Sequence, residues 1–206
     1  TGKIIDPFNG LEDLKNRVLR HVSDAFVEDP LRVLRVARFA AKLYQEGFEI
    51  APETLELMRK ISLSGELLDL TPERIWLELQ KALLTPNPEI FIKTLRQCEA
   101  LKDVLPEVNA LYGIPGPKRW HPEIDSGIHT CMTIHRICAE TDNPITRFAM
   151  LCHDLGKGLT SKKVLPHHFL HNEQGIEPLK QMCKRLHVPR EYEDFAYMVV
   201  LYHSEM

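Results

Sequence analysis

Two groups of residues in this chain have types and spacing suited to chemistry. One is the pair His153-Asp154, which follows the apolar run Ile145-Thr146-Arg147-Phe148-Ala149-Met150-Leu151-Cys152 and precedes Gly156-Lys157-Gly158. Imidazole and carboxylate together suit a divalent metal that activates water. Adjacent residues on a helix diverge by about 100°, so they can share an ion only near a helix end. The glycines place them near such an end. Further ligands must come from other helices, and the candidates are His129, His171 and His203.

The second group is the run Glu28-Asp29-Pro30-Leu31-Arg32-Val33-Leu34-Arg35. Asp29 before Pro30 predicts a helix start, an acid at the cap with proline in the first turn. Asp29, Arg32 and Arg35 then lie along one stripe, within about 9 Å along the axis. A carboxylate only accepts hydrogen bonds and a guanidinium only donates them. Cytosine and adenine both present an amino donor beside a ring-nitrogen acceptor, so one Asp and one Arg match them and mismatch guanine and uracil. The plainer alternative is a capped helix with an Asp29–Arg32 surface ion pair, worth under about 1 kcal/mol.

The elements that must position these groups read as helices. After residue 29 the expected helices run to about Gln45, with Gly47 ending the first, then over 52–61, from Thr71-Pro72 to Leu84, and over 88–98. They resume at roughly 127–141, 144–156, 171–187 and 190–204. Residues 106–123, rich in Pro, Gly, Trp and His, mark a domain boundary. Before residue 23, Lys3-Ile4-Ile5 and residues 17–22 read as short strands, with a turn at 6–10 and one helical turn over 11–16. The fold class is mainly all-α, with a small α/β remnant at the N-terminus.

Composition sets the limits. The chain has 206 residues, 44% hydrophobic and 27% charged, which suffices for a sizeable core. A net charge of −3 gives no overall bias toward polyanions, so RNA contact must come from local patches. Five cysteines without a CxxC pair suit reduced thiols and a cytoplasmic setting. No signal peptide or membrane-length apolar run is visible. The first residues carry no Met start and the last stop inside a helical pattern, which reads as a piece of a longer protein.

The run Asp6-Pro7-Phe8-Asn9-Gly10-Leu11-Glu12-Asp13-Leu14, then Leu19-Arg20, then residues 26–40, resembles the bacterial class II CCA-adding tRNA nucleotidyltransferases. Asn9 stands where many relatives have Gly. Residues 71–83, with Glu73-Arg74 and Glu78, are similar to the family's later neck motif. The resemblance implies three parts: the edge of a nucleotidyltransferase head over 1–22, a nucleotide-selecting helical neck over 23–108, and a helical body over 109–206. By motif position Asp29, Arg32 and Arg35 would bind CTP and ATP, with Arg38 on the same side. Asp6, Gly10 and Asp13 match a motif joining head to neck. The implied partners are tRNA, CTP and ATP, with no membrane and a monomer or homodimer.

The body adds a second resemblance. His129, His153-Asp154, the Gly156-Lys157-Gly158 tail and His171 resemble the HD phosphohydrolase superfamily, which is all-helical and binds one or two divalent metals. Lys157 matches the phosphate-contacting position of its motif, and His171 and His203 match the extra histidines of two-metal members. Asp194 is the available candidate for the motif's last Asp. The implied activities are 2′,3′-cyclic phosphodiesterase, 2′-nucleotidase and phosphatase, on phosphate esters, with Ni²⁺, Mn²⁺, Mg²⁺ or Co²⁺. Head-bound Mg²⁺ would drive nucleotide addition. The head's Gly-Ser motif and Asp-x-Asp pair are not among these residues, so residues 1–206 are expected to hydrolyse but not to add nucleotides. Two alternatives remain at this point: a non-catalytic tRNA-binding module, and part of a bacterial poly(A) polymerase.

Overall fold

The computed structural model describes residue 2, residues 4–116 and residues 125–205. Lys3 of the expected first strand, and residues 117–124 of the expected boundary, including His121, lie outside them.

The chain opens with helix α1 (Gly10–Asn16), which Arg17 ends in the left-handed region at φ 57. Strand β1 (Val18–Leu19) pairs in parallel with β2 (Glu49–Ile50), in register Val18↔Glu49 and Leu19↔Ile50. Between them come a 3-10 turn (Asp24–Glu28) and α2 (Leu31–Leu43). The expected strand at Ile4-Ile5 is absent: both residues are irregular and exposed, with no paired backbone to hold them. The strand expected over 17–22 shrinks to two residues, because the chain beyond Leu19 leaves the sheet for the 3-10 turn.

The helices that follow start largely where proline permits. α3 (Pro52–Ser64), α4 (Pro72–Leu83), α5 (Pro88–Gln97) and α9 (Pro144–Cys152) each carry Pro in the first turn, where the missing N–H costs nothing. Short helices α6 (Leu101–Val104) and α7 (Pro106–Asn109) turn the chain toward α8 (Ser126–Ile137). A 3-10 turn (Leu155–Leu159) follows α9, then α10 (His171–Leu186), α11 (Arg190–Tyr202) and a last 3-10 turn (His203–Glu205). Helix α9 stops at Cys152, short of the expected 156, because the backbone tightens at Asp154. No described helix is long and apolar enough to cross a membrane.

One hydrophobic core runs through both halves, from Val33 and Leu34 on α2 through Leu79, Phe91 and Leu95 to Phe148, Leu151, Leu179 and Val200. Trp76 on α4 meets Phe148 and Tyr192 edge-on, at ring-centre distances of 5.4 and 5.0 Å. The buried Arg147 of α9 ties the halves by hydrogen bonds. It donates to Leu83 O at 2.7 Å, Thr85 O at 3.1 Å and Thr141 O at 2.9 Å, and pairs with Asp142 at 2.9 Å. A buried guanidinium is costly to leave without its carbonyl acceptors, so the end of α4 is fixed against the helix that carries His153-Asp154.

Candidate metal centre

Helix α9 ends by lowering His153 and Asp154 into the space between α8, α10 and α11. Both side chains are buried, and Asp154 is 1% exposed. Around its carboxylate stand four imidazoles from four places in the chain. His153 Nε2 lies 3.2 Å from Oδ2 and His129 Nε2 of α8 lies 3.8 Å from it. His203 Nε2, just past α11, lies 3.4 Å from Oδ1, and His171 Nε2, at the first position of α10, lies 3.7 Å from it. Lys157 Nζ donates to Oδ2 at 2.7 Å.

Backbone carbonyls fix the orientation of three rings. His153 Nδ1 donates to Met150 O at 2.8 Å, His171 Nδ1 to His168 O at 2.8 Å, and His203 Nδ1 to Val200 O at 3.1 Å. A carbonyl oxygen only accepts, so each Nδ1 carries the proton and, in the neutral ring, each Nε2 presents a lone pair. Burial pushes the His171 imidazole below its ordinary value, which keeps it neutral. The lone pairs therefore face carboxylate oxygens that also carry lone pairs, an arrangement that repels itself unless a proton or a metal cation sits between. Asp154 Oδ1 is buried and meets no hydrogen bond. Burial works against the carboxylate's charge. Positive charge beside it, from the His153 and His203 rings when Nε2 also carries a proton and from the Lys157 ammonium, outweighs that and holds it well below the ordinary range.

These ligand atoms fall into two sets that share Asp154: His129, His153 and Asp154, and Asp154, His171 and His203. Within each set the atoms lie inside 4.8 Å of one another. Ligands bound at about 2.0–2.2 Å stand roughly 3 Å apart or slightly more, so small closures would complete either set. The chemistry of the donors, nitrogen with one bridging carboxylate, fits a pair of borderline divalent ions.

Two features that position this centre were not read from the sequence. Gly156 and Gly175 let the 3-10 turn and α10 meet backbone to backbone: a Cβ on Gly156 would lie 1.9 Å from His171 O and 2.6 Å from Gly175 N. His168 is the second. It accepts from or donates to Thr160 Oγ1 at 2.8 Å, reaches Pro115 O at 3.0 Å, and offers its own carbonyl to His171. Gly-Lys-Gly after His-Asp was the available signal for the first; nothing in the spacing signalled the second. Asp194 does not join the ligands. Its exposed side chain pairs with Arg190 at 3.4 Å.

Of the other group, Arg32 and Arg35 stand on α2 and Asp29 just before it, and Asp29 does not pair with either arginine. The cap of α2 falls on Pro30, one residue later than expected, and Asp29 Oδ1 accepts from Leu31 N at 3.1 Å. Its carboxylate is then held by Arg74 Nη2 of α4, at 2.8 and 3.0 Å. Arg32 donates to Ala25 O, so the surface pair Asp29–Arg32 is not formed. Arg32 and Arg35 line an open groove of about 350 Å³ with Arg20, Phe26, Val36 and Phe39. Arg38 turns away from it to Glu78 at 2.6 Å.

Comparison with known proteins follows this division. Residues 47–112, spanning α3 to α7, match the family described as "Probable RNA and SrmB- binding site of polymerase A". A solved "tRNA-processing enzyme (apo form I)" superposes with a TM-score of 0.59 at 22% identity, covering 98% of this chain and 48% of that one. A CCA-adding enzyme with ATP gives 0.59 at 22% identity, covering 98% and 41%. The Thermotoga maritima CCA-adding enzyme with tRNA gives 0.61 at 21% identity, covering 98% and 42%. The chain thus spans about half the length of these structures or less. Over nearly all of its own length, it has a mainly helical fold shared with CCA-adding enzymes.

Proposed function

We propose that this chain is the neck and helical body of a CCA-adding tRNA nucleotidyltransferase, and that the body is a metal-dependent phosphohydrolase of the HD type. The observation that carries the hydrolase reading is the convergence of four imidazole Nε2 atoms on the buried Asp154 carboxylate. The fold shared with CCA-adding enzymes supports the first half, and the match over residues 47–112 supports RNA as a partner. In this reading residues 1–22 border the nucleotidyltransferase head, 23–108 form the neck and 109–206 the body.

His129, His153, Asp154, His171 and His203 would hold divalent metal, with Mn²⁺, Mg²⁺, Ni²⁺ and Co²⁺ all compatible with nitrogen and carboxylate donors. A divalent cation bound there supplies Lewis acidity toward a phosphate ester. The chain contributes the rest. Three carbonyl hydrogen bonds lock the rings, and second-shell bonds of this kind both orient and strengthen ligands. Lys157 balances the shared carboxylate and would contact a substrate phosphate. In the neck, Asp29, Arg32 and Arg35 would select CTP and ATP, after Asp29 exchanges Arg74 for the base. Nucleotide addition itself would need Mg²⁺ held by carboxylates of a head.

Metal analysis of the purified chain with hydrolysis of bis-p-nitrophenyl phosphate tests the hydrolase reading. Bound divalent metal and metal-dependent turnover are expected, and His153→Ala should abolish both. Undiminished hydrolysis in that variant would show that the assigned centre is wrong. A chain that binds tRNA but neither metal nor ester would instead be the non-catalytic module. The "polymerase A" description keeps poly(A) polymerase as the second reading of the neck, and transfer of A without C by the head-containing protein would favour it.

A further inference from the structure

A cavity of about 1090 Å³ lies between α5 and α8, open to solvent along its length. That is at the upper end of the size of small-molecule sites, about 300–1,000 Å³. Its walls differ from the metal centre in kind. Lys93 and Arg96 project into it from α5 and Arg136 from α8, all three exposed. Ile128 and Met132, one helical turn apart on α8, are 46% and 54% exposed beside them. Arg96 lies flat against Tyr112, its guanidinium carbon 4.1 Å from the ring centre. The acid on these walls, Glu89, is buried and pairs with His135 at 3.0 Å, so the outward charge is positive.

One residue belongs both to this cavity and to the metal centre. His129 lines the groove and contributes to the first ligand set. A ligand lying in the groove would therefore touch one residue of the candidate metal centre.

We propose that this groove binds single-stranded RNA and delivers a phosphate near its end to the metal centre. Lys93, Arg96 and Arg136 would meet successive backbone phosphates. Ile128, Met132 and the outer face of the Arg96–Tyr112 stack would support unpaired bases, the combination by which proteins hold single strands. The inference rests on reading the metal centre as a phosphohydrolase and adds its substrate class: a polynucleotide end rather than a free nucleotide.

The test uses the full chain loaded with Mn²⁺. Two substrates are compared, a short RNA ending in a 3′-phosphate and bis-p-nitrophenyl phosphate, in the wild type and in the triple variant Lys93→Glu, Arg96→Glu, Arg136→Glu. The ratio of kcat/KM for RNA to that for the small ester should fall about tenfold or more, chiefly through KM, as three phosphate contacts are lost. Binding of a fluorescein-labelled RNA, followed by anisotropy, should weaken likewise. Its log–log salt slope, about −2 for three contacts on a single strand, should approach zero. A ratio and an affinity that both stay within about twofold would overturn the proposal. So would displacement of the RNA by polyglutamate as readily as by unlabelled RNA, which would mark an indiscriminate basic surface. If the wild type hydrolyses neither substrate, the phosphohydrolase reading fails, and the anisotropy arm still decides whether the groove holds RNA.

Discussion

The Asp29 cluster and the Asp154 cluster are both built from one acid and several basic or nitrogenous groups, yet they are satisfied in opposite ways. Around Asp29 the charged groups largely find protein partners: Arg74 for the acid, Ala25 O for Arg32, Glu78 for Arg38. Around Asp154 the nearest groups, apart from Lys157, are ring nitrogens, and in three of the four rings Nδ1 donates to a backbone carbonyl. The first cluster is satisfied within the protein and, in the proposed reading, would rearrange to read a base. The second is poised, with its ligands oriented and a carboxylate oxygen unpaired. A site that exchanges one hydrogen-bonded partner for another costs little to keep. A site that gathers imidazoles from four places around a buried carboxylate must be held together by the fold.

That contrast makes graded predictions. The largest effect is expected at the bridging acid. Asp154→Asn removes the ligand common to both sets, and hydrolysis of bis-p-nitrophenyl phosphate should drop at least about a thousandfold, equivalent to roughly 4 kcal/mol of barrier. Elemental analysis should show the metal gone. Retained metal would break the view of Asp154 as the shared ligand.

Next comes the packing that holds the poised site. Gly156→Ala drives a methyl into His171 O, and overpacking of this kind costs about 1–3 kcal/mol. In a chain of this size each kcal/mol lowers Tm by about 2–4 °C. Calorimetry checks the shift, and loss of metal from the His171 set should accompany it.

Acidity separates the two clusters further. Protons compete with metal for imidazole, so metal affinity should decline as pH falls through about 6.5 and below. The Asp154 carboxyl, held well below its usual range, stays ionised throughout that interval. His171, whose folded-state value is depressed, stays neutral to lower pH than a free histidine. Its contribution to the folded state is therefore present above its unfolded value and is lost as pH falls through the depressed one. Titration of bound metal against pH measures this. Release only near the carboxylate range would contradict ligation through the rings.

The smallest effect belongs to the resting cluster. Arg74→Ala breaks an ion pair that is largely solvent-exposed, so stability should change by less than about 1 kcal/mol. A larger loss, read from denaturant unfolding, would mean that Asp29 is a structural tie rather than a group free to change partners.

Much of this architecture was legible before any coordinates. Prolines at 52, 72, 88 and 144 announced helix starts because the first turn accepts them without losing a hydrogen bond. His153-Asp154, with its glycines, announced a polar helix end. What the sequence did not show is long-range. Arg74 finds Asp29 across 45 residues, and no local pattern encodes that meeting. The bridging of two ligand sets by one carboxylate depends on α10 and α11 arriving on the same side of it. The strand at Ile4-Ile5 failed for the complementary reason: a short apolar run has no structure until another strand is supplied.

Arg147 gives the molecule a mechanical property. Its guanidinium grips carbonyls at the end of α4 and beside α9, while its own helix ends at the metal ligands. A force that pulls α4 is therefore passed directly to His153-Asp154 rather than being absorbed by a hinge. The end of α4 and the segment that would cut a phosphate ester are coupled in series, so they should yield together under load.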